Sequence, residues 1–250
     1  MNPAIGPLSL GVVPRVVGTV ADCATMSSSG VGLVNLCDMV EIRLDKLGVK
    51  TPNWVRTCLT WEAAGLPVIV TLRLQAEGGK WVGSDKARKG VLESAIDTLS
   101  TIDIELNSSL CDPLCEYAEQ RGKGIIVSHH DFIGTPSLAE LRAVVARIRR
   151  HKNAIPKIAT MVNLDADIRT LRNLLDAEIG QPICILGMGA AGVRTRTLLP
   201  ALGSCLTYGY VDKPSASGQL PSVMLVDYLR TSISEYNQDF VIRKEIMEFV

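Results

Sequence analysis

The chain has 250 residues, 47% of them hydrophobic, which suits one domain with a large buried core. Lys plus Arg and Asp plus Glu are equal at 26 each, a balance that argues against a nucleic-acid or membrane-surface partner. No apolar run reaches spanning length, no basic segment precedes an apolar one at the start, and the seven cysteines are scattered and odd in number, so the expectation is a cytoplasmic protein with reduced thiols.

The segment before Arg15 carries Gly6, Pro7, Gly11 and Pro14 and reads as a short hairpin closing the bottom of whatever follows. Short apolar or β-branched runs then recur at 15–20, 38–44, 67–73, 101–106, 124–130, 155–161, 182–187 and 205–211. Helix-like stretches lie between them. The first is weak, because Ser27-Ser28-Ser29-Gly30 interrupts it. Ser84 can cap a helix whose apolar face is Ala87, Val91, Ala95 and Leu99. Cys111 and Cys115 are four apart with no histidine near them in the chain, so they are not read as a zinc site. Thr135-Pro136 supplies an N-cap and a proline at the first helical position, followed by Leu138, Leu141, Val145 and Ile148. His151 ends a basic stretch from Arg147 and reads as solvated surface. Asp165 begins a further helix with Ile168, Leu171 and Leu175, stopped by Gly180. Eight alternations of strand and helix without a polar linker favour a closed α/β TIM barrel, (β/α)8, over 1–250 as a single domain, rather than a doubly wound sheet.

Several of these strands carry charge on one face. In Val40-Glu41-Ile42-Arg43-Leu44-Asp45 alternation puts Glu41, Arg43 and Asp45 together, with Ile42 and Leu44 opposite. One such strand reads as a half-exposed edge. Five in one chain, each followed by helix-like sequence, place the charged face in an enclosed space. In a barrel this is the mouth at the strand C-termini, where Glu41, Arg43, Asp45, Arg73, Asp103, Glu105, His130 and Lys157 are expected to converge.

Lys157 lies within Ile155-Pro156-Lys157-Ile158-Ala159. It is either a buried ion pair with Glu41 or Asp103, or an amine that attacks a carbonyl to form a Schiff base; the strand pattern leaves both open. Ser128 and His130 share one face of their strand and His129 takes the other, which makes His130 the candidate for proton transfer. Of Arg194 and Arg196, only one is expected to point inward, where it can grip a carboxylate beside the helix amides of the glycine-rich turn. Met161, Met188, Phe132 and Tyr208 are candidate pocket walls, and the small polar residues of 213–219 suit a lid. The run Gly187-Met188-Gly189-Ala190-Ala191-Gly192, with Asp212 about 20 residues on, matches a dinucleotide fingerprint. It sits at the seventh run of eight with 58 residues remaining, too few for a nucleotide fold starting there. A nicotinamide enzyme is kept as the rival reading.

Taken together these segments resemble type I 3-dehydroquinate dehydratase, of the class I aldolase-like barrels, from about Pro14 to about Leu229. The matching pieces are Glu41 to Asp45, Thr71 to Arg73 with Glu77-Gly78-Gly79, Ile102 to Leu106, Ser128 to Phe132, Ile155 to Ala159, Met188 to Arg196 and Ser215 to Gln219. The resemblance implies dehydration of 3-dehydroquinate to 3-dehydroshikimate in aromatic amino-acid biosynthesis, without metal or cofactor. It implies that Lys157 forms the imine, that His130 moves the protons and that Glu77 holds His130. Arg196 would bind the substrate carboxylate. Glu41, Arg43 and Arg73 would meet ring hydroxyls and balance charge, and Ser215 and Gln219 would close from the lid. Thr19 stands where the family usually has a serine. Ser217 replaces the usual lid proline, Met161-Val162-Asn163 lacks a proline usual there, and Gly189-Ala190-Ala191 replaces polar residues. The resemblance leaves a homodimer open. Another Schiff-base aldolase would share Lys157 but not the elements around His130 and the lid.

Overall fold

The runs of aliphatic and β-branched residues form strands, and alternation decides what each strand shows to either side. A computed structural model describes residues 4–26 and 30–248. Strands β1 (Ala4–Ile5) and β2 (Leu8–Ser9) form an antiparallel hairpin. They are followed by β3 (Arg15–Val20), β4 (Met39–Arg43), β5 (Val68–Thr71), β6 (Thr101–Glu105), β7 (Ile125–Asp131), β8 (Ala154–Met161), β9 (Cys184–Met188) and β10 (Leu206–Tyr210). These eight pair in parallel, in the order β10-β3-β4-β5-β6-β7-β8-β9. The remaining seam has no regular ladder. Cys205 N donates to Ile183 O at 2.8 Å, Ile185 N to Ser204 Oγ at 3.0 Å and Cys184 Sγ to Leu206 O at 3.4 Å, so side chains replace part of the strand pairing.

Alternate residues face outward and pack under the helices, among them Val16, Val40, Ile42, Val68, Val70, Ile102, Val127 and Ile185. Their neighbours Val17, Met39, Ile69, Ile126, Ile155, Cys184 and Leu206 point inward, where Ile5, Leu8 and Leu10 of the hairpin join them. The hairpin therefore plugs the lower end, as the sequence suggests. One pleat higher the inward positions turn polar. The register pairs Thr19 with Glu41, Thr71 with Asp103 and Ser128 with Lys157, so the polar residues of neighbouring strands lie side by side. The C-terminal helix Ser234–Glu248 is tied to the foot of the barrel through Asp38. Asp38 accepts from Val16 N at 2.6 Å and Tyr236 Oη at 2.9 Å and pairs with Arg243.

Three local expectations shift. The helix Asp85–Thr98 is capped by Ser84 as read, but its buried face is Arg88, Leu92, Ala95 and Ile96. Ala87 is exposed and Arg88 fully buried, because Glu105 lies beneath it and pairs with its guanidinium. The helix Leu138–Ile148 is capped by Ser137 in a reciprocal capping box with Glu140. Thr135, expected to cap it, binds Thr160 Oγ1 at 2.8 Å and Met161 O at 2.9 Å. Strand β4 ends at Arg43, so Asp45 lies in the short helix Leu44–Leu47 and does not reach the mouth as a strand residue. The serine interruption at 27–29 lies outside the described residues, between the helices Cys23–Met26 and Gly30–Leu33.

Candidate active site

At the strand C-termini the polar layer opens into a cavity of about 270 Å³, and all ten residues named as site candidates line it: Thr19, Glu41, Arg43, Arg73, Glu77, His130, Lys157, Arg196, Ser215 and Gln219. Met161, Met188, Phe132 and Tyr208 supply walls.

Lys157 Nζ sits at the floor, on β8. It donates to Asp103 Oδ2 at 2.8 Å, lies 3.8 Å from Glu41 Oε1, and sits 3.9 Å above the centre of the Tyr208 ring. Lys157 is thus ion-paired and also lines the cavity, so the pairing does not remove it from reach of a ligand there. Asp103, read from sequence as an inward residue and a possible partner of Lys157, is the hub. Its Oδ1 accepts from Arg73 Nη2 and from Ser128 Oγ, both at 2.7 Å. Burial opposes its charge, yet Arg73 and Lys157 beside it hold the carboxyl below the usual range. The charges continue outward, with Arg73 Nη1 3.4 Å from Glu105 Oε1 and Arg88 on the other oxygen of Glu105. Five buried groups of alternating sign thus run from Lys157 to Arg88, each charge compensated by a neighbour. Asp103 and Glu105 were legible as inward residues. Ser128 and Arg88 could not be assigned partners before the strands were in register.

Glu41 accepts from Thr71 Oγ1 at 2.8 Å and Thr19 Oγ1 at 3.1 Å. Asp45 grips Arg43 with two bonds of 2.9 and 2.8 Å, so it orients a cavity residue and does not itself line the cavity. Burial holds the Tyr208 phenol well above its usual value, and its Oη has no hydrogen-bond partner among the described residues.

His130 Nδ1 lies 3.0 Å from Glu77 Oε2, and its ring stacks on Phe132 at 5.9 Å between centroids. Two glycines bring Glu77 there. Gly78 has φ +74° and faces Phe132, and a Cβ on Gly79 would lie 2.1 Å from Arg73 O. Burial pushes the Glu77 carboxyl up to about 7. Burial, then Arg73 and Lys157, holds His130 well below its usual value. The contact is therefore a neutral imidazole against a carboxyl group, rather than an imidazolium–carboxylate ion pair. When Glu77 is ionised it accepts the Nδ1 proton and leaves Nε2 as a free base. His129 is half-buried and lines no part of the cavity.

Arg196 is buried and donates through Nε to Gly218 O at 2.7 Å and through Nη1 to Tyr208 O at 2.8 Å. Burial pushes its guanidinium down to about 10, and among the described residues no carboxylate pairs with it. A cation held dry without a counter-ion is a seat for an anion. Arg194 points away and pairs with Asp165 at the surface. The lid crosses the mouth through Gln219, which accepts from Ser215 N at 2.7 Å and donates to Thr19 Oγ1 at 3.2 Å. Lys46 Nζ, unremarked in the sequence, holds Ser215 O at 2.7 Å.

Of the glycine-rich turn only Met188 lines the cavity, and Gly189 to Gly192, expected to bring helix amides there, do not. Gly187 N donates to Thr195 Oγ1 at 2.8 Å, and a Cβ on Gly192 would lie 2.6 Å from Gly187 C, so these glycines serve close packing. Asp212 caps the backbone amides of Ala21 and Asp22 at 3.0 and 2.8 Å, which leaves it no free ribose-binding role. The nicotinamide reading fails on both residue sets. A different correction concerns His151. The barrel folds it back onto Cys111 and Cys115, so the two cysteines do have a histidine beside them.

The family model for type I 3-dehydroquinase matches residues 19–235. The chain belongs to the type I 3-dehydroquinase family. It is 36% identical over 195 residues to the 3-dehydroquinate dehydratase of Methanosarcina mazei, covering 74% of this chain and 81% of that one. With the enzyme of the same name from Methanosarcina acetivorans the identity is 34%, over 87% of this chain and 94% of the other. The crystal structure of the 3-dehydroquinate dehydratase from Aquifex aeolicus superposes with a TM-score of 0.77 at 28% identity, covering 87% of this chain and 98% of that one. Among the described residues no helix is long and apolar enough to cross a membrane.

Proposed function

We propose that this barrel dehydrates 3-dehydroquinate to 3-dehydroshikimate through an imine on Lys157. The observation that carries the reading is the convergence on one amine. Lys157 Nζ has Asp103 at 2.8 Å beneath it, and the cavity above it holds the His130–Glu77 pair and the unpaired Arg196.

The carboxylate of the substrate docks on Arg196, which fixes the ring over Lys157. The free amine adds to the ketone, and loss of water forms the iminium. Nε2 of His130 takes a proton from the adjacent carbon, and the electron pair moves onto the imine nitrogen to give an enamine. His130 returns its proton to the departing hydroxyl as the enamine expels it, which leaves a conjugated iminium. Water then releases the enone and regenerates the lysine. Glu41, Arg43 and Arg73 face the ring hydroxyls, and the fixed dipoles and charges around Lys157 are in place before reaction. One barrel domain over 1–250 carries the whole activity. Seven free thiols, six of them buried, favour a reducing cytoplasm.

Borohydride added with 3-dehydroquinate should inactivate the protein and add one reduced ligand mass at Lys157. Lys157→Ala should abolish trapping. An adduct on another lysine, or full turnover by that variant, defeats the assignment.

A further inference from the structure

Away from the catalytic mouth, three metal-binding side chains meet on the outer layer. Cys111 and Cys115 lie one turn apart on the helix Cys111–Glu119, so they share a face and both are buried. His151 arrives from the turn after the helix Leu138–Ile148. The three ligand atoms all lie within 4.8 Å of one another. None of the three lines the catalytic cavity. Zn–S bonds of about 2.3 Å and Zn–N bonds of about 2.0–2.1 Å place tetrahedral ligand atoms within ~4 Å of one another. Small side-chain rotations reach that spacing.

The surroundings match what such a site needs. Asp112 Oδ1 lies 3.0 Å from His151 Nε2 and steadies the imidazole, the common outer partner of a metal-bound histidine. The Asp112 side chain is 68% exposed, so a cation has a path in from solvent past a carboxylate. Two thiolates and an imidazole select a soft or borderline divalent ion and disfavour magnesium or calcium.

We propose that Cys111, Cys115 and His151, oriented by Asp112, form a zinc site, its fourth position taken by water, that clamps the helix Cys111–Glu119 to the turn preceding β8. That turn leads directly into the strand carrying Lys157. The ion would brace the base of the catalytic strand without touching substrate.

The test uses the full chain under reductant, titrated with Co2+ as a spectroscopic stand-in. The expected result is about one equivalent bound, with thiolate-to-cobalt charge transfer and tetrahedral d–d bands that Zn2+ abolishes, and a higher Tm with Zn2+. Cys115→Ser and His151→Ala should lose the bands, whereas Cys23→Ser, at an exposed thiol, should keep them. Asp112→Asn should weaken binding ~10–100-fold. His151 is partly exposed, so His151→Ala tests the site even if a cysteine variant fails to fold. Absence of the bands in the wild type, their survival in His151→Ala, or their loss in Cys23→Ser would overturn the site. So would a Cys111–Cys115 disulfide as the only chemistry of the pair.

Discussion

Glu77 and His130 face one another across 3.0 Å, and the direction in which each is pushed fixes the pH behaviour. Burial raises the Glu77 carboxyl to about 7 and lowers His130 well below its usual value. Below about pH 7 the pair holds its proton on Glu77. Above it the carboxylate accepts from Nδ1, and Nε2 becomes available as the base. Turnover should therefore rise with pH through about 7, and Glu77→Gln should flatten that limb. A limb that persists unchanged in the variant would assign the titration elsewhere. His130→Ala should still allow borohydride trapping while slowing elimination ~10²–10⁴-fold. His129→Ala, on the other face of β7, should change turnover far less. The reverse order in single-turnover kinetics would put the wrong histidine in the cavity.

At the scale of elements, the lid is held by contacts from several parts of the chain. Arg196 holds Gly218 O, Gln219 reaches Thr19 and Lys46 holds Ser215 O. Gly218 has φ +74° and lies so close to the glycine-rich turn that a Cβ would sit 2.4 Å from Gly189 O. Gly218→Ala should cost the docked lid more than about 1 kcal/mol, roughly fivefold or more in substrate affinity, with trapping at Lys157 intact once substrate saturates. Unchanged affinity would mean that the lid closes by other contacts. Arg196→Lys keeps charge but loses the planar fork that spans the lid and β10, so KM should rise well above that of Arg194→Lys. Equal effects in the two variants would remove Arg196 from the carboxylate seat.

For the whole molecule, the hairpin closes the lower end of the barrel from inside, and the helix Ser234–Glu248 packs into the outer layer beside the helix Ser222–Ser232. Asp38 is the buried carboxylate that joins the last helix to β3 through Tyr236, Arg243 and Val16 N. Asp38→Ala should leave Arg243 held by Asp239 alone, unpair Val16 N and Tyr236 Oη, and lower stability by about 3 kcal/mol, read from the urea midpoint. The catalytic mouth lies at the opposite end, so the folded fraction of this variant should keep its trapping rate at Lys157. A loss below 1 kcal/mol would show that the last helix is held mainly by apolar packing.

Strand alternation is local, so the sequence alone determined where the strands lie along the chain, the inward face carrying Glu41, Arg73, Asp103, His130 and Lys157, and the hairpin. The family resemblance likewise singled out Glu77, Arg196 and Gln219 before any strand was in register. The partners of these groups were another matter. Arg88 has no visible partner in the sequence until Glu105 of the neighbouring strand lies beneath it. Lys46 has no visible role until the lid, 169 positions later in the chain, folds onto it. His151 is 36 positions from Cys115 and meets it only when the turn after the helix Leu138–Ile148 folds onto the helix Cys111–Glu119. Each of these depends on closure of the barrel, which sets inter-strand register and helix rotation. Closure is the sum of many contacts distant in sequence, and no local window of residues contains it.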